Sequence, residues 1–245
     1  MTRPEDVADS VPRLLSAVLA SLRDGKDSVN PLMRVCQACV SLLPVDGASI
    51  SIMLGTQHRQ SLYASDPVVE HLEDVQFSLG EGPCFEAFDT GRPVLVPNLA
   101  ERVDHTWPMF AAEVPPEQVG AIFAFPLRRG AARFGAMDMY RRTPGWLSPA
   151  DLATALQIVD IATSALLAVS ATGPEGEISE EWLTELVRDR TVVHQATGIV
   201  VAEFAISAEQ ALARLRGYAF ANGRRIQGLA EDLVAGRLHP RVIDE

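Results

Sequence analysis

The stretch LGEGPCFEAFDTGRPVLVPNL, residues 79–99, packs a glycine turn, a short helix and a strand into one run. Gly80 and Gly82 permit a tight backbone approach. PCFEAFDTG reads as the short helix, whose free N-terminal amides can bind an anion. Cys84 falls in its first turn, where the helix dipole lowers the pKa of a thiol. PVLVPNL, 93–99, then reads as a strand. Two readings stay open at Cys84: a structural turn with a small residue, and a reactive thiol.

On either side the periods alternate between strand and helix. VADSVPRLLSAVLASLRD (7–24) and NPLMRVCQACVSLL (30–43) have helical spacing, the second with Asn30 as N-cap and Pro31 at the first helical position. ASISIML (48–54) sets Ile50, Ile52 and Leu54 against Ser49, Ser51 and Met53, the alternation of a strand. SLYAS, AIFAFPL and ARFGAMDMY are further strand-like runs, and the sequence around HTWPMFAAEVPPEQ is irregular. LSPADLATALQIVDIATSALLAVSA (147–171) closes the unit as a long helix capped by Ser148. Successive strands with flanking helices imply one sheet covered by terminal helices. Cys36 and Cys39 share one face of a helix with Leu32, Val35 and Val40 and read as packing residues; no partner CxxC or spaced His pair supplies metal ligands.

The run 79–99, with VGAIFAFPLRRGAARFGAMDMYRRTPGWLSPADLATALQIVDIATSAL (119–166), resembles a GAF domain over about residues 28–170. The resemblance implies an antiparallel sheet flanked by helices and a small-molecule pocket on one sheet face. The pocket is expected beneath the irregular 98–118 stretch, lined by Phe77, Trp107, Phe110 and Phe123. The sequence leaves the ligand and any cofactor unknown. Some GAF proteins reduce free methionine sulfoxide through paired cysteines; Cys84 occupies a comparable turn, but its partner thiols are absent from the matching region.

TGPEGEIS, 172–179, is the linker between a sensor unit (1–171) and a C-terminal unit (180–245). The net charge of −11 argues against a surface that grips polyanions everywhere. Residues 182–243 depart from this, with eight arginines against six acids. Three cysteines, no signal-peptide pattern and no apolar run of bilayer length point to a protein of the cytoplasm that meets no membrane.

Three helices are expected in this unit. Trp182, Leu186, Val193, Ala196, Val200 and Phe204 form the first apolar stripe. The second helix begins at Ser207 with capping-box spacing to Gln210 and ends at Asn222-Gly223; the third is RIQGLAEDLVAGR. Arg188, Thr191, Gln195 and Gly198 fall on the face away from the stripe, and Arg190, His194 and Thr197 on a flank beside it. A polar, small-residue face flanked by arginines admits a close-approaching phosphate backbone, and Arg216, Arg224 and Arg225 extend it.

RxxVxQAxG (Arg190, Val193, Gln195, Ala196, Gly198), EQALARLRGYA and NGRRIQGLAEDLV together resemble an ANTAR domain over about 180–240. This implies a three-helix bundle, an α+β fold class for the whole chain, and binding of RNA hairpin loops, as a dimer, in transcription antitermination. Arg188, Arg190, His194, Gln195, Thr197, Arg216, Arg224 and Arg225 are the expected RNA-binding residues. Thr197 stands where the family usually has lysine, so one phosphate contact is missing. On this reading the protein carries out no catalysis. The alternatives are a thiol-redox or sulfoxide-reducing enzyme built on Cys84, and a dimerising signalling adaptor that binds no RNA.

Overall fold

A computed structural model describes residues 12, 16, 30–54, 58–101, 106–115, 117–170 and 191–244. The chain divides into two compact units that part between Ser179 and Glu180. Apart from Pro12 and Ser16, the helix expected at 7–24 lies outside the described residues, as do the linker at 172–179 and Trp182, Leu186, Arg188 and Arg190.

In the first unit, α1 (Pro31–Leu42) is capped by Asn30, whose side chain accepts from the Leu32 amide. Leu32, Val35, Cys36 and Cys39 form its buried face, and burial pushes the thiols of Cys36 and Cys39 up. The sheet follows as β1 (Gly47–Leu54), β2 (His58–Ala64), β3 (Val94–Val96), β4 (Ala121–Arg129) and β5 (Ala132–Arg141), in the order β2-β1-β5-β4-β3 with antiparallel neighbours.

Two helices stand where period and spacing predict none. The first is α2 (Pro67–Leu79), capped by Asp66, whose carboxylate accepts from the amides of Val68 and Val69. The second is the short α4 (Pro108–Glu113), inside the stretch read as irregular. Between them α3 (Pro83–Thr90) forms where PCFEAFDTG predicts it, and ends on Gly91 in the left-handed conformation.

The long helix α5 (Pro149–Ser170) opens with Ser148 and Asp151 capping one another reciprocally. By length and composition alone it is apolar enough to cross a bilayer, contrary to the expectation from the sequence. Its Ala155, Ile158, Val159, Ala162, Ala165 and Leu166 are buried, as in a core helix.

Helices α1 and α5 pack on each other and on strands β1 and β4, while α3 packs on β3, β4 and β5. Successive strand residues point to opposite faces. Met53 and Ala136 cluster with Cys84, Phe85 and Phe88 of α3, so the face holding Ser49, Ser51, Met53, Ala136 and Asp138 is the one α3 covers. Ile50, Met137, Met139, Phe123 and Phe125 occupy the other. Both faces are dry.

The second unit contains α6 (Thr191–Phe204), α7 (Ala208–Ala221), α8 (Ile226–Val234) and a 3-10 turn (Pro240–Asp244). Val193, Ala196 and Val200 pack with Leu212, Leu215, Leu229 and Leu233, all buried. Ser207 and Gln210 make the expected capping box. At the far end Gly223, rather than Asn222, takes the left-handed conformation.

Candidate functional site

The serine face of β1 looks like a solvent face in sequence, yet Ser49 and Ser51 are buried. Both hydroxyls donate to the carboxylate of Glu73 on α2. Arg59, on β2 opposite Met53, donates to that carboxylate and to the Glu73 carbonyl at 3.0 Å. Its guanidinium also lies 5.4 Å from the Phe85 ring centroid. Burial disfavours the Arg59 charge, but the carboxyls of Glu73 and Asp138 around it more than offset this and hold the guanidinium protonated. Arg59 and Glu73 thus form a buried ion pair whose removal on one side leaves an uncompensated charge.

Gln76, one turn along α2 from Glu73, joins this pair to the rest of the site. Its amide nitrogen donates to Asp138 on β5 at 2.7 Å, and its oxygen accepts from the Cys84 amide at 2.8 Å. The amide expected to be free for an anion at the start of α3 is therefore held by a side chain of the same unit. Gly82 makes room for it: with φ 136°, any Cβ there would sit 2.6 Å from the Gln76 oxygen.

Cys84 is fully buried. Burial raises its pKa well above the ordinary value; Arg59 opposes this, and Asp138 and Glu73 reinforce it. The helix dipole does not win, which corrects the expectation of a lowered thiol pKa. Alkylation of Cys84 by iodoacetamide in the native protein at neutral pH should run no faster than unfolding exposes it. Mass spectrometry of the alkylated peptide checks this, and rapid labelling of folded protein contradicts it.

Glu81, in the turn before α3, accepts from the amides of Met109 and Phe110 at 2.7 and 2.8 Å. It is a long-range N-cap for α4, whose own N-cap residue, Trp107, offers no side-chain bond. Replacing Glu81 by alanine should cost about 1–2 kcal/mol and shift Trp107 emission to the red as α4 loosens. Urea unfolding with tryptophan fluorescence measures both, and unchanged emission would contradict the tether.

Of the four expected pocket residues, all are buried. Trp107 and Phe110 meet edge to face, their centroids 6.4 Å apart. Phe123 has Leu95 and Met139 as ladder partners and lies on the sheet face away from α3. AIFAFPL is buried on both faces, and residue type alone could not tell them apart.

Among the expected RNA-binding residues, Gln195 is exposed on α6, as the helical wheel predicts for it and for its neighbour Gly198, and His194 is half-buried beside them. Among the described residues no neighbour comes within 4 Å of a Cβ built at Gly198. Thr197 is a second correction: it is buried, and its hydroxyl donates to the Val193 carbonyl. Lying four residues after Val193, it turns toward the bundle interior. Arg225 is exposed and Arg216 half-buried. Arg224 donates to Asp232, which also accepts from Arg237, and Arg241 pairs with Glu203. These pairs are at the surface.

Residues 32–167 match the GAF domain model and residues 181–234 the ANTAR domain model. No curated protein matches the chain. Among solved structures, the GAF domain of an Acinetobacter phosphoenolpyruvate-protein phosphotransferase is similar at 16% identity. It covers 71% of this chain and 98% of its own, with a TM-score of 0.53. A domain of a putative two-component sensor histidine kinase from Sinorhizobium meliloti matches at 17% identity, covering 58% and 92%, with a TM-score of 0.47. Free methionine-R-sulfoxide reductase from Neisseria meningitidis, in complex with its substrate, matches at 14%, covering 69% and 92%, with a TM-score of 0.49. The first of these supports the fold, and the domain model, matched over more than half the sequence, decides the family: the chain belongs to the GAF domain family, with an ANTAR domain following the GAF domain.

Proposed function

We propose that the chain is a ligand-responsive antitermination regulator of the cytoplasm, in which the GAF unit (1–171) senses a small molecule and the ANTAR unit (180–245) binds hairpin loops in nascent mRNA. A dimer holds paired hairpins and prevents a terminator from forming. The ligand acts by binding two states of the sensor unequally, and α5, which leads in sequence into the linker at 172–179, carries the difference onward. No bond is made or broken.

The observation that carries this reading is Gly198, exposed beside Gln195 in mid-helix, where no described residue packs within 4 Å of a Cβ built on it. Such a glycine costs about 1 kcal/mol against alanine, and no packing among the described residues explains it. A face without Cβ or bulky neighbours lets a nucleic-acid backbone or an unstacked loop base approach the helix closely. Arg225 from the start of α8 and Arg224, whose carboxylate pair is solvent-exposed, supply positive charge for phosphates.

Crosslinking the chain to cellular RNA and sequencing what it holds tests the reading. Transcripts enriched with the wild type should share hairpin loops, and a Gly198→Val chain, which fills the open face, should recover none of them. Equal recovery with both chains would place the contact elsewhere, and no enrichment with either would favour the adaptor.

A further inference from the structure

Within the sensor unit, two carboxyls compete for one guanidinium. Arg59, Glu73 and Asp138 are each no more than 3% exposed. The described bonds of Arg59 to these groups go to the carboxylate and carbonyl of Glu73, and Ser49 and Ser51 donate to the same carboxylate. Asp138 receives only the Gln76 amide, and its Oδ1, fully buried, has no hydrogen-bond partner. A buried carboxylate with one oxygen bare is costly. A carboxylic acid at the same place is not, because its O–H can donate to Glu73, which lies within hydrogen-bonding reach.

We propose that Asp138 and Glu73 form a proton switch in which one shared proton holds α2 and α3 on the sheet and its loss loosens them. Gln76 supplies the connection, since the amide that donates to Asp138 also accepts from the first turn of α3. Ionising Asp138 leaves one positive and two negative charges in a dry interior. Either Gln76 or Arg59 must then turn toward the bare oxygen, and each is already engaged with α2 or α3.

The groups facing Asp138 are Glu73 from α2, Arg59 from β2 and Cys84 from α3, with Ser49 of β1 and Ala124 of β4 opposite it in the ladders. Burial first, and Glu73 second, push Asp138 up to about 7, against the pull of Arg59 and Gln76. The folded chain therefore binds more protons than the unfolded chain between the ordinary value of 3.8 and about 7. The stabilisation is complete below the lower value and is lost as pH rises through the upper one.

The test is the melting temperature of the full chain from about pH 5.5 to about pH 8.5, wild type against Asp138→Asn. The asparagine N–H stands in for the acid O–H. The variant should therefore melt at one temperature throughout, while the wild type falls by about 5 °C across neutrality and ends below it. The same slope in both chains would overturn the proposal. Infrared spectroscopy of the wild type decides independently of how well the variant folds: a carboxylic acid carbonyl band should be present at the acid end and vanish through neutrality. Its absence at the acid end would also overturn the switch. Neither readout involves RNA, so failure here leaves the RNA reading standing, and the reverse.

Discussion

Replacing Glu73 by alanine should destabilise the sensor unit by about 3–5 kcal/mol, the cost of stranding a buried guanidinium. The carboxylate accepts from Arg59, Ser49 and Ser51, so one substitution leaves three buried donors without their acceptor. Asp138 becomes the remaining counter-ion for Arg59, which limits the loss but does not restore the two hydroxyl bonds. Changing both partners, Arg59→Met with Glu73→Leu, should recover most of the stability, because the charge and its partner leave together. Urea denaturation of the full chain, followed by tryptophan fluorescence, separates these cases. A loss below about 1 kcal/mol for Glu73→Ala would mean that water reaches the pair.

Replacing Arg224 and Arg225 together by alanine should weaken hairpin binding on the order of 10- to 100-fold without unfolding the bundle. Both residues are exposed at the start of α8, and the Arg224–Asp232 pair is a surface pair that solvent screens and that adds little to the fold. Asp232 keeps Arg237 in the variant, so no carboxylate is orphaned. Circular dichroism should therefore show unchanged helix content while a labelled hairpin loses its binding. Undiminished affinity in the folded variant would place the phosphate contacts on other residues.

What could be read from the sequence divides along a physical line. Caps are local, and Asn30, Ser148 and the Ser207–Gln210 box stand where their spacing places them. Strands with apolar alternation, and the helices of the second unit, follow from period alone. The buried polar site was not legible, because period reports polarity and not exposure: Ser49 and Ser51 look like an outward face and point at Glu73. The same residues hid α2, since Glu73 and Gln76 interrupt its apolar stripe. The Asp66-Pro67 pair was the available signal, an N-cap followed by proline at the first helical position. At Thr197 a single step around the helical wheel separates the flank that spacing predicts from the interior it occupies. At Cys84 full burial overrides the dipole effect that its place in the first turn predicts.

The claim on which the function rests is that the second unit grips phosphates, and the salt dependence of binding tests it most directly. The full chain should bind a hairpin RNA with log Kd rising linearly in log salt, and the Arg224→Ala/Arg225→Ala chain should show a slope smaller by about 0.7–0.9 for each contact removed. Binding that ignores salt, or a folded chain that binds no hairpin even at low salt, would contradict the account.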